Sequence, residues 1–281
     1  MAKFIMTTQS EDRIGIVAAL TGCLSDNEGF IHNLAQFGTP NSERFFSRIC
    51  FSVDKKNESN LRNALAEISS AMHLNIQIYP KGQKIRTLIM VSKFDHCLND
   101  LLYRHNNGSL KISIPAVASN HETHRKRVEA AGIPFHYMPS TKETKPEAEA
   151  RLRDLIDDVE AELIVLARYM QILSKDICAD YSGRIINIHH SFLPSFKGAK
   201  PYHRAYDKGV KLIGATAHYV TSDLDEGPII EQSVSRVNHT QTPQDLVAVG
   251  RDIEAQTLAK AIKLHSEHKA FINDNKTVIL S

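Results

Sequence analysis

Pro80-Lys81-Gly82-Gln83-Lys84-Ile85-Arg86-Thr87-Leu88-Ile89-Met90-Val91-Ser92 is the stretch on which the division of the chain turns. Its first five residues form a polar hinge carrying both Pro and Gly. Thr87 to Ser92 then reads as an apolar strand. The hinge predicts a boundary, with one domain over 1–82 and a second over 83–281. Beyond it, strand and helix alternate. A helix is expected over Asp95 to His105, a strand over Ile112 to Ala118, and a helix over Glu122 to Ala131 closed by Gly132. Phe135 to Met138 is a short strand and Lys145 to Glu160 a long helix. Leu163 to Leu166 and Ile185 to Ile188 are strands, followed by two more over Lys211 to Val220 and Pro228 to Val237. Thr242-Pro243-Gln244-Asp245 combines an N-cap, a first-turn proline and a capping-box acid, and opens a helix running to about His268. Such alternation predicts an α/β domain built on a doubly wound, mostly parallel, Rossmann-like sheet.

Working back from the hinge, the pattern is different. Phe4 to Thr8 is β-prone, and Asp12-Arg13-Ile14-Gly15 turns the chain. Ile16, Val17, Leu20 and Leu24 then recur at helical spacing. Phe30 to Phe37 and Phe45 to Val53 read as strands around the loop cluster Gly38-Thr39-Pro40-Asn41-Ser42. Leu61, Leu65, Ile68 and Met72 mark a second helix, and Leu74 to Tyr79 a last strand. The order βαββαβ predicts a small sheet with two helices on one face.

Composition narrows the function classes. The 281 residues are 42% hydrophobic and 23% charged, which is ordinary for a soluble globular protein. Lys and Arg number 34 against 32 Asp and Glu, a net charge of +2, without the positive excess that phosphate-binding surfaces need. No nucleic-acid partner is expected. No run of 18 apolar residues predicts a membrane span, and the opening Met1-Ala2-Lys3-Phe4-Ile5-Met6-Thr7-Thr8 is too short for a signal peptide's apolar region. Cys23, Cys50, Cys97 and Cys178 are widely separated with no CxxC, so reduced thiols in the cytoplasm are expected rather than a zinc site or a disulfide framework.

Open α/β sheets bind ligands beyond the carboxyl ends of their strands, so the segments after the strands are where chemistry is sought. Lys93-Phe94-Asp95-His96 follows the first strand with no glycine, which disfavours a dinucleotide pyrophosphate, and no Walker-A sequence occurs. Neither HExxH nor G-x-S-x-G is present, so neither metal ligation nor a serine hydrolase is expected, although His189, His190, His203, His218 and His239 are numerous here. Asn187 and His189 lie two apart at the end of an apolar strand and point to one side. They read as site residues, or as a capping Asn and a satisfied buried His. Asp223-Leu224-Asp225-Glu226-Gly227-Pro228 is a tight acidic loop, which a solvated turn also explains.

Asn187-Ile188-His189, the following Ser191-Phe192-Leu193-Pro194-Ser195-Phe196-Lys197-Gly198, and Asp225 in Asp223-Leu224-Asp225-Glu226-Gly227-Pro228 together resemble the formyltransferase fold family. That family includes glycinamide ribonucleotide formyltransferase and methionyl-tRNA formyltransferase. The first 80 or so residues resemble an ACT domain, a ferredoxin-like regulatory module. The resemblance also takes in Val91 to Leu98 and Arg168-Tyr169-Met170-Gln171-Ile172-Leu173. It implies 10-formyltetrahydrofolate as the substrate, no separate cofactor, and a catalytic trio of Asn187, His189 and Asp225. The pterin end is expected against Tyr169, Met170, Gln171 and Leu173 and against Val220, Thr221 and Asp223. His218 is a candidate supporting residue, and Lys197 to Pro201 a basic turn near the folate's acidic tail.

The combination implies a hydrolase of purine and one-carbon metabolism that releases formate and tetrahydrofolate. In place of the small-residue loop that holds substrate phosphate in the glycinamide ribonucleotide enzyme stands Lys93-Phe94-Asp95-His96, which favours water as the acceptor. The alternative is formyl transfer to a small amine such as glycinamide ribonucleotide. A non-catalytic amino-acid-sensing binder is a third reading. The turn at Asp12 and Gly15 leads into a helix amino-terminus and is the expected regulatory site, for an amino-acid effector or as a purely structural pairing module in a homo-oligomer.

Overall fold

The computed structural model describes residues 1–38, 43–193 and 201–280. The loop cluster at 39–42 and the basic turn at 197–200 lie outside these residues. Two compact units are present. The first comprises Met1–Gln83 with His268–Asn273 and the segment from Val278 onward; the second comprises Lys84–Glu267 with Asp274–Thr277.

The first unit runs β1 (Ala2–Glu11), α1 (Ile16–Asp26), β2 (Phe30–Gly38), β3 (Arg44–Val53), α2 (Lys55–Met72) and β4 (Asn75–Pro80). Its strands form one antiparallel sheet in the order β2-β3-β1-β4. Strand side chains alternate between faces, and β3 shows what each face meets. Phe45, Ile49, Phe51 and Val53 join Phe4, Met6, Leu20, Leu24, Leu61 and Leu65 in one core. Phe46, on the opposite face and fully buried, packs with Phe271 and Leu280. Those partners belong to a C-terminal hairpin beyond the expected last helix, so residues 268–273 count with the first unit and not with the remainder of 83–281.

The second unit continues with β5 (Ile85–Val91), α3 (His96–Asn106), β6 (Ile112–Ser119), α4 (Arg125–Ala130), β7 (Phe135–Tyr137), α5 (Lys145–Asp158), β8 (Leu163–Leu166), α6 (Lys175–Asp180), β9 (Ile185–His189), α7 (Pro201–Asp207), β10 (Leu212–Tyr219), β11 (Ile229–Arg236) and α8 (Pro243–Ser266). The hairpin strands β12 (Ala270–Asn273) and β13 (Lys276–Ile279) close the chain's elements. Among the described residues, seven strands form the sheet in the order β11-β10-β9-β8-β5-β6-β7. From β9 to β7 every pairing is parallel, while β10 runs antiparallel to both neighbours. α8 opens on the expected capping box: the Thr242 hydroxyl accepts from Asp245 N–H and the Asp245 carboxylate accepts from Thr242 N–H. No helix among the described residues is long and apolar enough to cross a membrane.

This order fixes where a ligand can sit. From β5 the chain moves outward to β6 and β7, then returns to lay β8 on the other side of β5. The reversal leaves a crevice at the carboxyl ends of β5 and β8. β8 stops at Leu166, level with Asn187, whereas β9 runs on to His189. The last residues of β9 therefore border the crevice.

Candidate active site

A cavity of about 630 Å³ occupies this crevice. The segment after β8 forms one wall. It is held by the Ser92 hydroxyl at the end of β5, which accepts from Met170 N–H at 2.9 Å and donates to Asn120 Oδ1 at 2.7 Å. Tyr169, Leu173 and Val220 pack back on the domain core, whereas Met170 and Ile172 are 53% and 62% exposed. Large apolar side chains left open in a concave wall are suited to a flat ring. Gln171, Thr221 and Asp223 also line the cavity, so all seven residues expected to bind substrate surround one space. Burial pushes the Tyr169 hydroxyl up to about 12, so it remains a neutral donor.

Asn187, His189 and Asp225 line the same cavity. Asn187 and His189 come from alternate positions of β9. Asp225 comes from the β10–β11 connection, which begins at the opposite end of β9: Val220 N–H donates to Ile185 O. The loop must fold back to reach His189. Asp225 takes φ 59°, a left-handed turn that Asp tolerates better than most residues. Gly227 lies so close to the Tyr219 carbonyl that a Cβ there would stand 1.8 Å from the oxygen. Only glycine permits that approach.

The polar contacts assign roles to nitrogen atoms. His189 Nδ1 lies 3.1 Å from Asp225 Oδ1 and donates to it. Burial works to raise the Asp225 carboxyl, but the His189 hydrogen bond and the histidine charges around it outweigh burial and hold it below the usual range. Asp225 is therefore ionised near neutral pH. His189 is 5% exposed, and its Nε2 is buried without a hydrogen-bond partner among the described residues. On β10, His218 Nδ1 donates to Tyr219 O at 2.8 Å. That bond fixes the tautomer, leaving Nε2 as an acceptor. Asn187 Nδ2 donates to it at 3.3 Å, which orients the amide and leaves its second N–H for another acceptor. Burial, opposed by the Tyr219 bond, lowers the His218 pKa and keeps the ring neutral.

A second polar cluster in the lining is not legible as a motif. Glu254 of α8, 1% exposed, receives His96 Nε2 at 2.8 Å and the Tyr202 hydroxyl at 2.7 Å. Arg168 Nε stands 3.2 Å away as an ion pair. Burial opposes the Glu254 charge, and these three partners together hold its pKa below the usual range. His96, Cys97 and Glu254 offer atoms within 4.8 Å of one another. They make a poor metal site, because burial drives the Cys97 thiol well up and Glu254 already neutralises Arg168. All four cysteines are buried and free.

Asp12 and Gly15, the expected regulatory pair, sit together in the exposed turn between β1 and α1. Gly15 occupies the N-cap at φ 97° with no side-chain cap.

The doubly wound sheet with its crevice is that of the formyl transferases, and the chain belongs to that family: the family's model, described as Formyl transferase, matches residues 85–262. Relatives that match along nearly the whole chain include formyltetrahydrofolate deformylases. One from Corynebacterium sp. (strain P-1) is 50% identical over 99% of this chain and 98% of that protein. The solved structure of one from Burkholderia mallei superposes with a TM-score of 0.96 at 44% identity, covering both chains fully. A glycinamide ribonucleotide transformylase from Symbiobacterium toebii covers 72% of this chain and 97% of its own, with a TM-score of 0.68 at 29% identity.

Proposed function

We propose that the chain hydrolyses 10-formyltetrahydrofolate to formate and tetrahydrofolate, supplying formate for purine synthesis and balancing one-carbon pools. The observation that carries the mechanism is the His189–Asp225 contact at 3.1 Å beside a buried Nε2 with no partner among the described residues. With its proton on Nδ1 toward Asp225, His189 presents a lone pair at Nε2. That lone pair takes a proton from water as the oxygen attacks the formyl carbon. The ionised Asp225 then balances the imidazolium. Such a third group, holding tautomer and charge, is the logic of a nucleophile–base–orienter set. The carbonyl oxygen becomes an oxyanion and accepts the free N–H of Asn187. One donor of this kind contributes on the order of 10²–10³ in rate. The imidazolium returns its proton to N10 as the C–N bond breaks, and formate and the secondary amine leave.

The folate ring lies against Tyr169, Met170, Gln171 and Leu173 and the segment Val220 to Asp223, with no separate cofactor taking part. The enzyme works in the cytoplasm as a homo-oligomer. Its first unit, over roughly 1–82, regulates the catalytic unit, with Asp12 and Gly15 at the site of an amino-acid effector.

Incubation with 10-formyltetrahydrofolate and no acceptor, followed by formate measurement, tests the activity. Sustained acceptor-free release is expected; turnover only after an amine is added would make the chain a transferase. Titrating free amino acids during the same assay tests the effector, and a flat response to all of them would leave the first unit a pairing module.

A further inference from the structure

Glu254, His96, Arg168 and Tyr202 come from α8, the start of α3, the turn after β8, and α7. All line the cavity that holds Asn187, His189 and Asp225. One residue separates the two groups. The His190 ring lies 5.1 Å from that of His189 and 6.5 Å from that of Tyr202. The cluster thus forms the part of the cavity wall one histidine ring away from His189.

Two features mark this wall as built. Arg168 holds φ 63°, a left-handed conformation that a long side chain rarely adopts, while its side chain is almost wholly buried. Strain of that sort persists where the surroundings over-determine it and clusters at ligand sites. Gly250 lies in the interior of α8, where glycine weakens a helix. A Cβ there would stand 2.2 Å from the Tyr202 ring. The missing side chain lets the ring lie against the helix and its hydroxyl reach Glu254 one turn on. Phe94 extends the wall, with the guanidinium groups of Arg168 and Arg251 over its ring at 5.7 and 5.5 Å.

The chemistry of this wall discriminates between acceptors. A primary amine arrives largely as an ammonium near neutral pH. Arg168 repels it, and the carboxylate that would attract it is already taken by two hydrogen bonds and the ion pair with Arg168. An amine carrying a substituent also meets Phe94, His96, Arg168 and Tyr202 in the cavity wall. Water needs neither charge balance nor room. We propose that the side chains gathered on Glu254, with Arg168 foremost, determine that water rather than an amine receives the formyl group. This rests on the hydrolytic reading above. In the excluded reaction the amine nitrogen would bond the formyl carbon, the C–N10 bond would break, and the amine's proton would pass to N10.

The test is a partition measurement on the full chain. Arg168→Gly combined with Glu254→Gln removes the guanidinium at a backbone angle glycine prefers and leaves no unpaired buried carboxylate. Wild type and variant receive 10-formyltetrahydrofolate with methylamine or glycinamide, and formate and formylated amine are both quantified. Wild type is expected to give formate throughout. The variant's ratio of formylated amine to formate should rise by about tenfold or more, the scale at which a changed pocket contact alters discrimination. Should the double variant not fold, Phe94→Ala, at a position 43% exposed, carries the same test with a smaller rise. A folded, active variant with the wild-type ratio, or a wild type that formylates these amines freely, would overturn the assignment alone. A wild type releasing no formate without acceptor would overturn the hydrolytic reading and the assignment with it.

Discussion

Two acidic side chains face one cavity, and their surroundings are opposite in kind. Glu254 sits on a 24-residue helix with both carboxylate oxygens engaged by three partners. Asp225 sits on a returning loop, half-buried, with His218 Nε2 3.9 Å away and one hydrogen-bonded imidazole, His189, whose far nitrogen has no partner among the described residues. A buried carboxylate with both oxygens engaged has little left to give a substrate, although Arg168 Nε meets it only as an ion pair, and removing the carboxylate strands its partners. An incompletely used pair retains the valence that a reaction needs. The contrast teaches that pairing with a histidine does not by itself single out a carboxylate for chemistry; what the histidine's other nitrogen is left to do has to be asked as well.

Four experiments bear on that contrast. Asp225→Asn should lower kcat by about 10³–10⁴-fold, the scale for losing an orienting carboxylate, with folate binding and melting temperature nearly unchanged. Near-normal turnover would remove Asp225 from the mechanism. Glu254→Ala should do the reverse, costing about 3–5 kcal/mol of stability by leaving Arg168 without its counter-charge. Chemical denaturation reads this directly, and a loss below about 1 kcal/mol would make the network peripheral.

The third experiment uses His190, which lies between the two groups. Burial, with the charges of Arg168 and His189, lowers its pKa from 6.5 to about 4. The unfolded chain binds this proton below pH 6.5 while the folded chain resists it until about 4. Stability is thus full above 6.5 and falls as the pH drops through that window, by about 3 kcal/mol for this residue. In denaturation curves over this range, His190→Gln should flatten that part of the fall; an unchanged slope would assign it elsewhere. The smallest effect is expected from His218→Ala, which frees the Asn187 amide to rotate. A misplaced donor lowers kcat by up to about 10²-fold. KM should hold, because the ring-binding wall is untouched, and a change confined to KM would contradict this positioning role.

Asn187 and His189 stand out as polar residues ending an apolar strand, and Asp225 as one of the acids before Gly-Pro, but local chemistry leaves a capping pair and a solvated turn open, and the resemblance to the formyltransferase family is what joins the three. The Glu254 network was not legible, since its four members are scattered from 96 to 254 and each alone resembles an ordinary surface residue. One signal existed. Leu246, Gly250, Glu254, Thr257, Leu258 and Ala261 fall on the buried stripe of α8, so an acid there required partners. The alternation from β5 onward and the capping box at Thr242 gave the doubly wound sheet, but α6 and α7 are too short to show periodicity. The C-terminal hairpin, with four-residue strands, carried only the turn residues Asn273-Asp274-Asn275 as a hint.

That hairpin bears on how the protein is made. Phe46 emerges from the ribosome more than 200 residues before Phe271 and Leu280, its companions on the outer side of the first sheet. The amino-terminal unit thus begins assembly first and is finished last, with an aromatic side chain uncovered in the interval. Nascent chains of this protein should engage chaperones through that face, and a fragment ending at the hinge would keep it bare and self-associate.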